Sequence, residues 1–130
     1  MDKDSNAKSK ENRATQGPLS GIKVIDWTLW QFGPVAAMML GDLGADVIKV
    51  EALSGEQGRA MFTLSGIDRS LPGGRNSYFE ANQRNKRSIA LDLKQPEGVN
   101  VVRNLVGDAD IFLQNYRKGC LLYTSPSPRD

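Results

Sequence analysis

Apolar and polar residues near the start of the chain are spaced in a way that predicts a strand, a helix and a second strand. Residues 23–26 carry a short β-rich apolar run, the first predicted strand. Pro34 suits the first turn of a helix, where its missing N–H costs nothing, and helix formers continue over residues 35–43. Gly44 favours a helix stop before a second strand at residues 46–50. Short connections make this a βαβ unit, so its strands should be parallel.

The rest of the pattern repeats this order after a long connection. Residues 52–77 are rich in glycine, serine and single charges without a sustained period, which predicts a long loop, and residues 78–81 predict a short helical or extended piece. A third strand is predicted at residues 88–92, a second helix at residues 96–107 and a fourth strand at residues 111–113. The order β-α-β, loop, β-α-β predicts an α/β fold with a Rossmann-like, open and mostly parallel sheet.

Ligands of such sheets bind beyond the carboxyl ends of the strands. Those ends are residues 26–33, 51–59, 92–94 and 114–117. Glu51 stands where dinucleotide-binding domains hold a ribose, but the first turn contains Gly33 alone instead of a glycine-rich phosphate loop. A nicotinamide or flavin site is therefore not predicted.

Composition narrows the function classes further. The 130 residues carry 17 Lys and Arg against 15 Asp and Glu, a net charge of +2 that gives no argument for nucleic acid or membrane partners. The chain has no histidine and a single cysteine, Cys120, so neither a metal site nor a disulfide framework is predicted. No apolar run approaches the ~20 residues that span a bilayer, and a soluble, cytoplasmic protein is expected. Residues 1–17 almost lack large apolar side chains, which predicts a disordered tail.

Two groups of side chains have both a structural and a functional interpretation. Arg84, Lys86 and Arg87 form a basic cluster, which predicts a solvated face or a structural role, or else a diffuse attraction for phosphates. Trp27 and Trp30 flank the first turn. Trp27 is predicted to pack under the sheet and Trp30 to line the ligand site.

Several motifs occur in a fixed order: PLSGIKVIDWT, the GP that opens the first helix, LGDLGADVIKVE, NKRSIALDLKQPEG and DADIFLQNYRKG. In that order and at that spacing they closely resemble the N-terminal part of the class III CoA-transferases, which include formyl-CoA transferases, carnitine CoA-transferases and the divergent 2-methylacyl-CoA racemases. The resemblance covers residues 18–119, which are expected to be the N-terminal part of the large domain of a bigger, interlocked-dimer fold. Residues 120–130 are rich in serine and proline and are expected to be an unrelated or artefactual tail.

The resemblance also implies a set of coenzyme A contacts. Coenzyme A offers phosphates to cations and a long pantetheine arm to apolar surface. The family positions that contact it correspond here to Leu29, Trp30, Gln31, Phe32, Ala52, Leu91, Lys94, Asn115 and Tyr116. Gln31 is also expected to contact the thioester carbonyl or a developing oxyanion. Ala52 departs from family members that carry an arginine there, and Arg59 is a candidate to replace that phosphate contact.

The implied reaction moves CoA from an acyl-CoA to a carboxylic acid through an aspartyl intermediate in a homodimeric enzyme. No covalently bound cofactor is implied. The nucleophilic aspartate is expected to lie beyond this chain, which should be inactive alone. Asp26, Asp92, Asp108 and Asp110 are interpreted as caps, turn formers or solvated charges.

Two alternatives remain open. A racemase of the same family would abstract a proton next to the thioester, although Gln31 in the first turn favours a transferase. A non-catalytic module would retain only coenzyme A binding or another interaction. The sequence identifies neither the acyl donor nor the acceptor acid.

Overall fold

A computed structural model describes residues 17–117 of the chain. Residues 1–16 of the predicted tail and the whole predicted segment 120–130, with Cys120, lie outside these residues. In chain order the elements are β1 (Lys23–Trp27), α1 (Phe32–Asp42), β2 (Asp46–Glu51), a 3₁₀ helix (Gln57–Ala60), β3 (Thr63–Leu64), β4 (Ile67–Asp68), β5 (Ser70–Leu71), β6 (Arg75–Asn76), α2 (Ser77–Gln83), β7 (Lys86–Ala90), α3 (Pro96–Gly107) and β8 (Ile111–Gln114). No helix among the described residues is long and apolar enough to cross a membrane.

The longer strands form one four-stranded sheet in the order β7-β2-β1-β8, and every neighbouring pair is parallel. The predicted α/β class and the parallel βαβ unit are therefore confirmed. Pro34 lies in the first turn of α1, as expected. Gly44 has a φ of 99°, which glycine adopts readily, and the chain turns there from α1 into β2.

Helices pack on both faces of this sheet. Val24 of β1 and Val47 of β2 are buried against Ala37 of α1. On the opposite face, Ile25 of β1 is buried against Val102 of α3. Successive residues of a strand point to opposite faces, so the apolar runs in β1 and β2 serve both helical layers.

The predicted third strand is displaced by two residues, because β7 covers Lys86–Ala90 instead of residues 88–92. Its first two residues, Lys86 and Arg87, belong to the basic cluster and gave no apolar signal for a strand. The predicted long loop was also wrong in detail, since it contains the 3₁₀ helix, the antiparallel pairs β3–β4 and β5–β6, and the start of α2. Strands of two residues are too short to show a period in the sequence.

Candidate functional site

The carboxyl ends of the four parallel strands meet at one edge of the sheet, here called the carboxyl edge. Leu91, just after β7, donates its N–H to the carbonyl oxygen of Glu51 at the end of β2 (2.9 Å). Leu29, after β1, is hydrogen-bonded to Asn115, after β8. The nine predicted coenzyme A contacts all follow these strand ends, in the spatial order Leu91 and Lys94, then Ala52, then Leu29, Trp30, Gln31 and Phe32, then Asn115 and Tyr116.

The β1–α1 turn, residues 28–31, contains hydrogen bonds to Asp26 and one residue with a left-handed backbone. Thr28 is buried, and its N–H and its hydroxyl both donate to Oδ1 of Asp26 (N···O 3.1 Å). Trp30 has a φ of 68°, a left-handed conformation that costs a non-glycine residue about 1–3 kcal/mol unless its surroundings hold it. The side chains of Trp30 and Phe32 are 42% and 92% exposed, so both are accessible at the carboxyl edge.

Gly33 allows α1 to begin in contact with this turn, because a Cβ there would stand 2.3 Å from Cβ of Thr28. The carbonyl oxygen of Gln31 accepts the first helical hydrogen bond, from the N–H of Val35 (2.9 Å). The side-chain amide of Gln31 is exposed and makes no hydrogen bond within residues 17–117. It is therefore accessible to a ligand.

Asn115 holds the turn from the β8 side. Its Oδ1 accepts the N–H of Leu29 (2.9 Å) and its Nδ2 donates to the carbonyl oxygen of Leu29 (2.8 Å). Both ends of this side-chain amide are thus engaged by the turn. The ring of Tyr116 lies edge-on to that of Trp27 with centroids 5.5 Å apart, and Trp27 is buried as predicted.

Lys94 and Ala52 are exposed at the same edge. The backbone N–H of Lys94 donates to Oδ1 of Asp92 (3.0 Å), so Asp92 is a turn former. No carboxylate within residues 17–117 forms an ion pair with the Lys94 ammonium. Lys94 is therefore an unpaired cation within the described part of the chain.

A buried ion pair joins Asp26 of β1 to Lys86 of β7, with Oδ2 and Nζ 2.8 Å apart. Both side chains are almost inaccessible, and Nζ also donates to Oε1 of Gln83 and to the carbonyl oxygen of Pro34, each at 2.8 Å. Burial lowers the pKa of Lys86, against the hydrogen bond and charge of Asp26, which raise it. Asp26 and Lys86 are therefore not solvated. Asp26 is a turn former, because it accepts the N–H of Thr28, and Lys86 has a structural role, each being one of the interpretations predicted for it.

A second buried pair joins Lys49 of β2 to Glu56, with Nζ and Oε2 2.6 Å apart and side-chain exposures of 2% and 1%. Lys49 Nζ also donates to the carbonyl oxygen of Thr28 (3.0 Å). Oε1 of Glu56 accepts the N–H of Trp30 (3.0 Å). This pair thus touches the β1–α1 turn at two points.

A third pair joins Glu51 to Arg59 through two hydrogen bonds of 2.6 and 2.7 Å. Burial alone would raise the pKa of Glu51, but the hydrogen bonds from Arg59 and from the N–H of Glu56 outweigh it, so the pKa lies below its usual value. The guanidinium also lies over the ring of Phe79, 4.2 Å from its centroid. Arg59 is therefore engaged by Glu51, which argues against its replacing the arginine missing at Ala52.

The exposed members of the basic cluster are paired as well. Arg84 contacts Asp42 and Arg87 contacts Asp46, each at 2.6 Å. With Lys86 paired to Asp26, the cluster contains three separate ion pairs. This arrangement supports its structural interpretation.

Sequence reasoning missed the buried charges, although one signal could have found them. Asp26 and Lys49 lie at adjacent positions in the centres of β1 and β2, where a sheet covered on both faces normally has apolar residues. A charge at such a position requires a partner. The partners are 60 residues from Asp26 and 7 residues from Lys49, and neither spacing is a recognisable motif.

An open cavity of about 950 Å³ lies at the opposite end of the sheet, against Lys23, Asp46 and Arg87. None of the predicted contact residues lines it. Among residues 17–117 no group of three or more potential ligands could hold a metal ion. The described residues thus form an α/β protein in which the predicted contact residues lie at the carboxyl edge, with Trp30, Gln31, Phe32 and Lys94 accessible there.

Known proteins identify this architecture. The sequence model of CoA-transferase family III matches residues 19–123, so the chain belongs to that family. It is 45% identical over 105 residues to the succinate–glutarate CoA-transferase of Agrobacterium fabrum, covering 78% of this chain and 26% of that protein. It is 40% identical over 105 residues to the human succinyl-CoA:glutarate CoA-transferase, covering 80% of this chain and 23% of that protein.

A solved structure shares the fold. The crystal structure of a CAIB/BAIF family protein from Brucella suis matches with a TM-score of 0.73 and 36% identity, over 85% of this chain and 29% of that one. The expected family is therefore confirmed. The chain spans about a quarter of the length of the curated relatives it matches.

Proposed function

We propose that this chain is the N-terminal, coenzyme A-binding part of an enzyme that transfers CoA from an acyl-CoA to a carboxylic acid. The observation that supports the proposal is that the nine positions implied by the resemblance to contact coenzyme A all follow strand ends at one edge of the sheet. At that edge Lys94 offers a cation to a phosphate, and Trp30 and Phe32 offer exposed aromatic surface to the pantetheine arm or adenine. The functional unit in this proposal is a homodimer.

In the proposed reaction an aspartate outside this chain attacks the thioester carbonyl and expels the CoA thiolate, leaving a mixed anhydride. The thiolate attacks the aspartyl carbonyl, which releases the donor acid and leaves an aspartyl-CoA thioester. The acceptor carboxylate attacks that thioester, forming a second anhydride, and the thiolate then attacks its acyl carbonyl and regenerates the aspartate. This chain orients CoA, and the exposed Gln31 amide donates to the thioester oxygen.

The burial of Asp26 supports a nucleophile elsewhere. Its carboxylate is inaccessible and engaged by Lys86 and Thr28, so no thioester can approach it. The names of relatives that act on succinate, glutarate or malate make dicarboxylic acids the first acceptors to test.

Titration of the 130-residue chain with CoA tests the binding part of the proposal. Lys94→Met should raise the CoA Kd about tenfold, because a charge-assisted contact to phosphate is lost. Lys23→Met is the matched control and should leave the Kd unchanged. Lys23 is also exposed, but it begins β1 and so lies at the end of the sheet away from the carboxyl edge. Equal effects of the two substitutions, or no binding by the wild-type chain, would contradict the proposal.

A test of the transfer step requires a longer product of the same gene, if one exists. Sequencing across and beyond the codon for Gly119 establishes whether the reading frame continues. A continued product should move CoA from succinyl-CoA to glutarate, and hydroxylamine should trap one aspartate as a hydroxamate. CoA transfer without such trapping would exclude the aspartyl intermediate.

A further inference from the structure

The β1–α1 turn, which carries the proposed CoA contacts Leu29, Trp30 and Gln31, is held from both sides. Leu29 is bonded to the Asn115 side chain on the β8 side. On the β2 side, Glu56 accepts the N–H of Trp30, the residue with the left-handed φ of 68°. A left-handed non-glycine residue persists only where its surroundings hold it in place.

Glu56, which holds Trp30, is itself fixed by contacts to β2 and α2. Oε2 of Glu56 is 2.6 Å from Lys49 Nζ of β2 and accepts a hydrogen bond from Nε2 of Gln83 in α2 (3.3 Å). The N–H of Glu56 donates to Oε2 of Glu51 at the end of β2 (3.0 Å). Such an ionised group, removed from water, is held in one position by its partners.

We infer that Glu56, held by Lys49, is a positioning residue that fixes the backbone of the β1–α1 turn in the shape that binds coenzyme A. The inference rests on the proposed function. The Glu56 side chain need not touch the ligand, because it is 1% exposed and its carboxylate is directed at Trp30 N–H and Lys49. Its effect on binding is transmitted through the conformation of Trp30 and the neighbouring Gln31 and Phe32.

Two double variants separate positioning from charge burial. Lys49→Met with Glu56→Gln removes both charges but keeps an oxygen that can accept the Trp30 N–H. Lys49→Met with Glu56→Leu removes the same charges and the acceptor together. Both pairs replace a buried ion pair with neutral side chains of similar size, so the difference between them isolates the hydrogen bond to the turn.

Two measurements are made on the full chain at a temperature at which each variant is folded. The first is hydrogen exchange of the Trp30 amide without ligand, and the second is the Kd for CoA. Both pairs lose the hydrogen bond from Lys49 to the carbonyl oxygen of Thr28, so they are compared with each other. The leucine pair should show about tenfold faster exchange and about tenfold weaker binding than the glutamine pair. If the leucine pair does not fold, Lys49→Met with Glu56→Ser replaces it, since the serine hydroxyl is too short to reach the turn.

The outcomes distinguish the two proposals. Unchanged exchange in the variant that lacks the acceptor, or faster exchange with unchanged CoA affinity, overturns the positioning role alone. Failure of the wild-type chain to bind CoA overturns the proposed function, and the positioning role with it. A loss of thermal stability shared equally by both pairs, with equal CoA affinity, reduces Glu56 to a structural residue and overturns the inference.

Discussion

Two neighbouring cations of β7 show that the contribution of an ion pair to stability depends on its burial. Lys86 points into the α1 face of the sheet and its side chain is 1% exposed, whereas Arg87 points the other way and is 67% exposed. Both contact an aspartate at less than 3 Å. Only Lys86 leaves its partner buried and uncompensated when it is removed.

Lys86→Met should therefore lower the free energy of unfolding by about 3–5 kcal/mol, since Asp26 would remain as a buried unpaired charge. Arg87→Met changes the net charge equally but breaks a solvated pair, and should cost less than about 1 kcal/mol. Urea unfolding followed by circular dichroism measures both. Similar losses in the two variants would contradict the inference that burial makes the difference.

Glu51 makes stability depend on pH in the acid range. Its pKa in the folded protein lies below the ordinary value of 4.5, so its stabilising contribution is complete above pH 4.5 and is lost as the pH falls through the folded value. Glu51→Gln should be less stable than the wild type at pH 7 and should lose less stability than the wild type between pH 5 and pH 3. The urea midpoint, measured at each pH, checks both expectations.

The control for that experiment is Glu97→Gln, which removes the same charge from an exposed position in α3. It should keep the acid dependence of the wild type. A curve for Glu51→Gln as steep as the control's would show that Glu51 is not responsible.

At the scale of elements, the contact between α1 and the β1–α1 turn depends on Gly33. A methyl group there would stand 2.3 Å from Cβ of Thr28, so Gly33→Ala must separate the helix from the turn. The expected loss is about 1–3 kcal/mol, measured as thermal unfolding. Gly107→Ala at the end of α3 meets nothing within 4 Å and should be neutral or stabilising by up to about 1 kcal/mol, and a comparable loss there would exclude the steric explanation.

The longer elements could be predicted from the sequence because their signals agree. In α1 the proline, the helix formers and Gly44 mark the same bounds, and the apolar runs of β1 and β2 mark theirs. The third strand was predicted two residues too late, because the sequence does not show that Lys86 is neutralised by Asp26. The two residues are 60 positions apart in the chain. The predicted loop, residues 52–77, lacked a sustained period, and so the contact between Glu56 and Trp30 could not be recognised.

The candidate site was predictable to the level of strand ends. Parallel topology alone places the carboxyl ends of β1, β2, β7 and β8 together, and the family resemblance selects positions along them. Which of these side chains are already bonded within the protein could be determined only from the structure. Asn115 is engaged by Leu29 and Arg59 by Glu51, whereas Gln31 and Lys94 are not engaged by other side chains within residues 17–117.

At the scale of the whole molecule, large apolar side chains are exposed on several elements. Those at least half exposed among the described residues are Phe32, Met39, Leu53 and Ile67. The outer strands β7 and β8 each pair with one neighbour in the sheet. Exposed apolar groups and unpaired strand edges favour association between chains.

We therefore expect the 130-residue chain alone to be marginally stable or to aggregate. Size-exclusion chromatography at rising concentration should show growing assemblies instead of a constant monomer peak. A monomer with a sharp, cooperative melting transition well above room temperature would contradict this expectation.

The two tryptophans of the chain, Trp27 and Trp30, provide two intrinsic fluorescence reporters. Trp27 is 7% exposed in the core and Trp30 is 42% exposed on the turn that Glu56 holds, so they should emit at shorter and longer wavelengths, respectively. Trp27→Phe leaves the turn as the source of tryptophan fluorescence, and collisional quenching by acrylamide then reports its accessibility. Loosening of the turn would thus be visible in a protein that remains folded, separately from unfolding of the core.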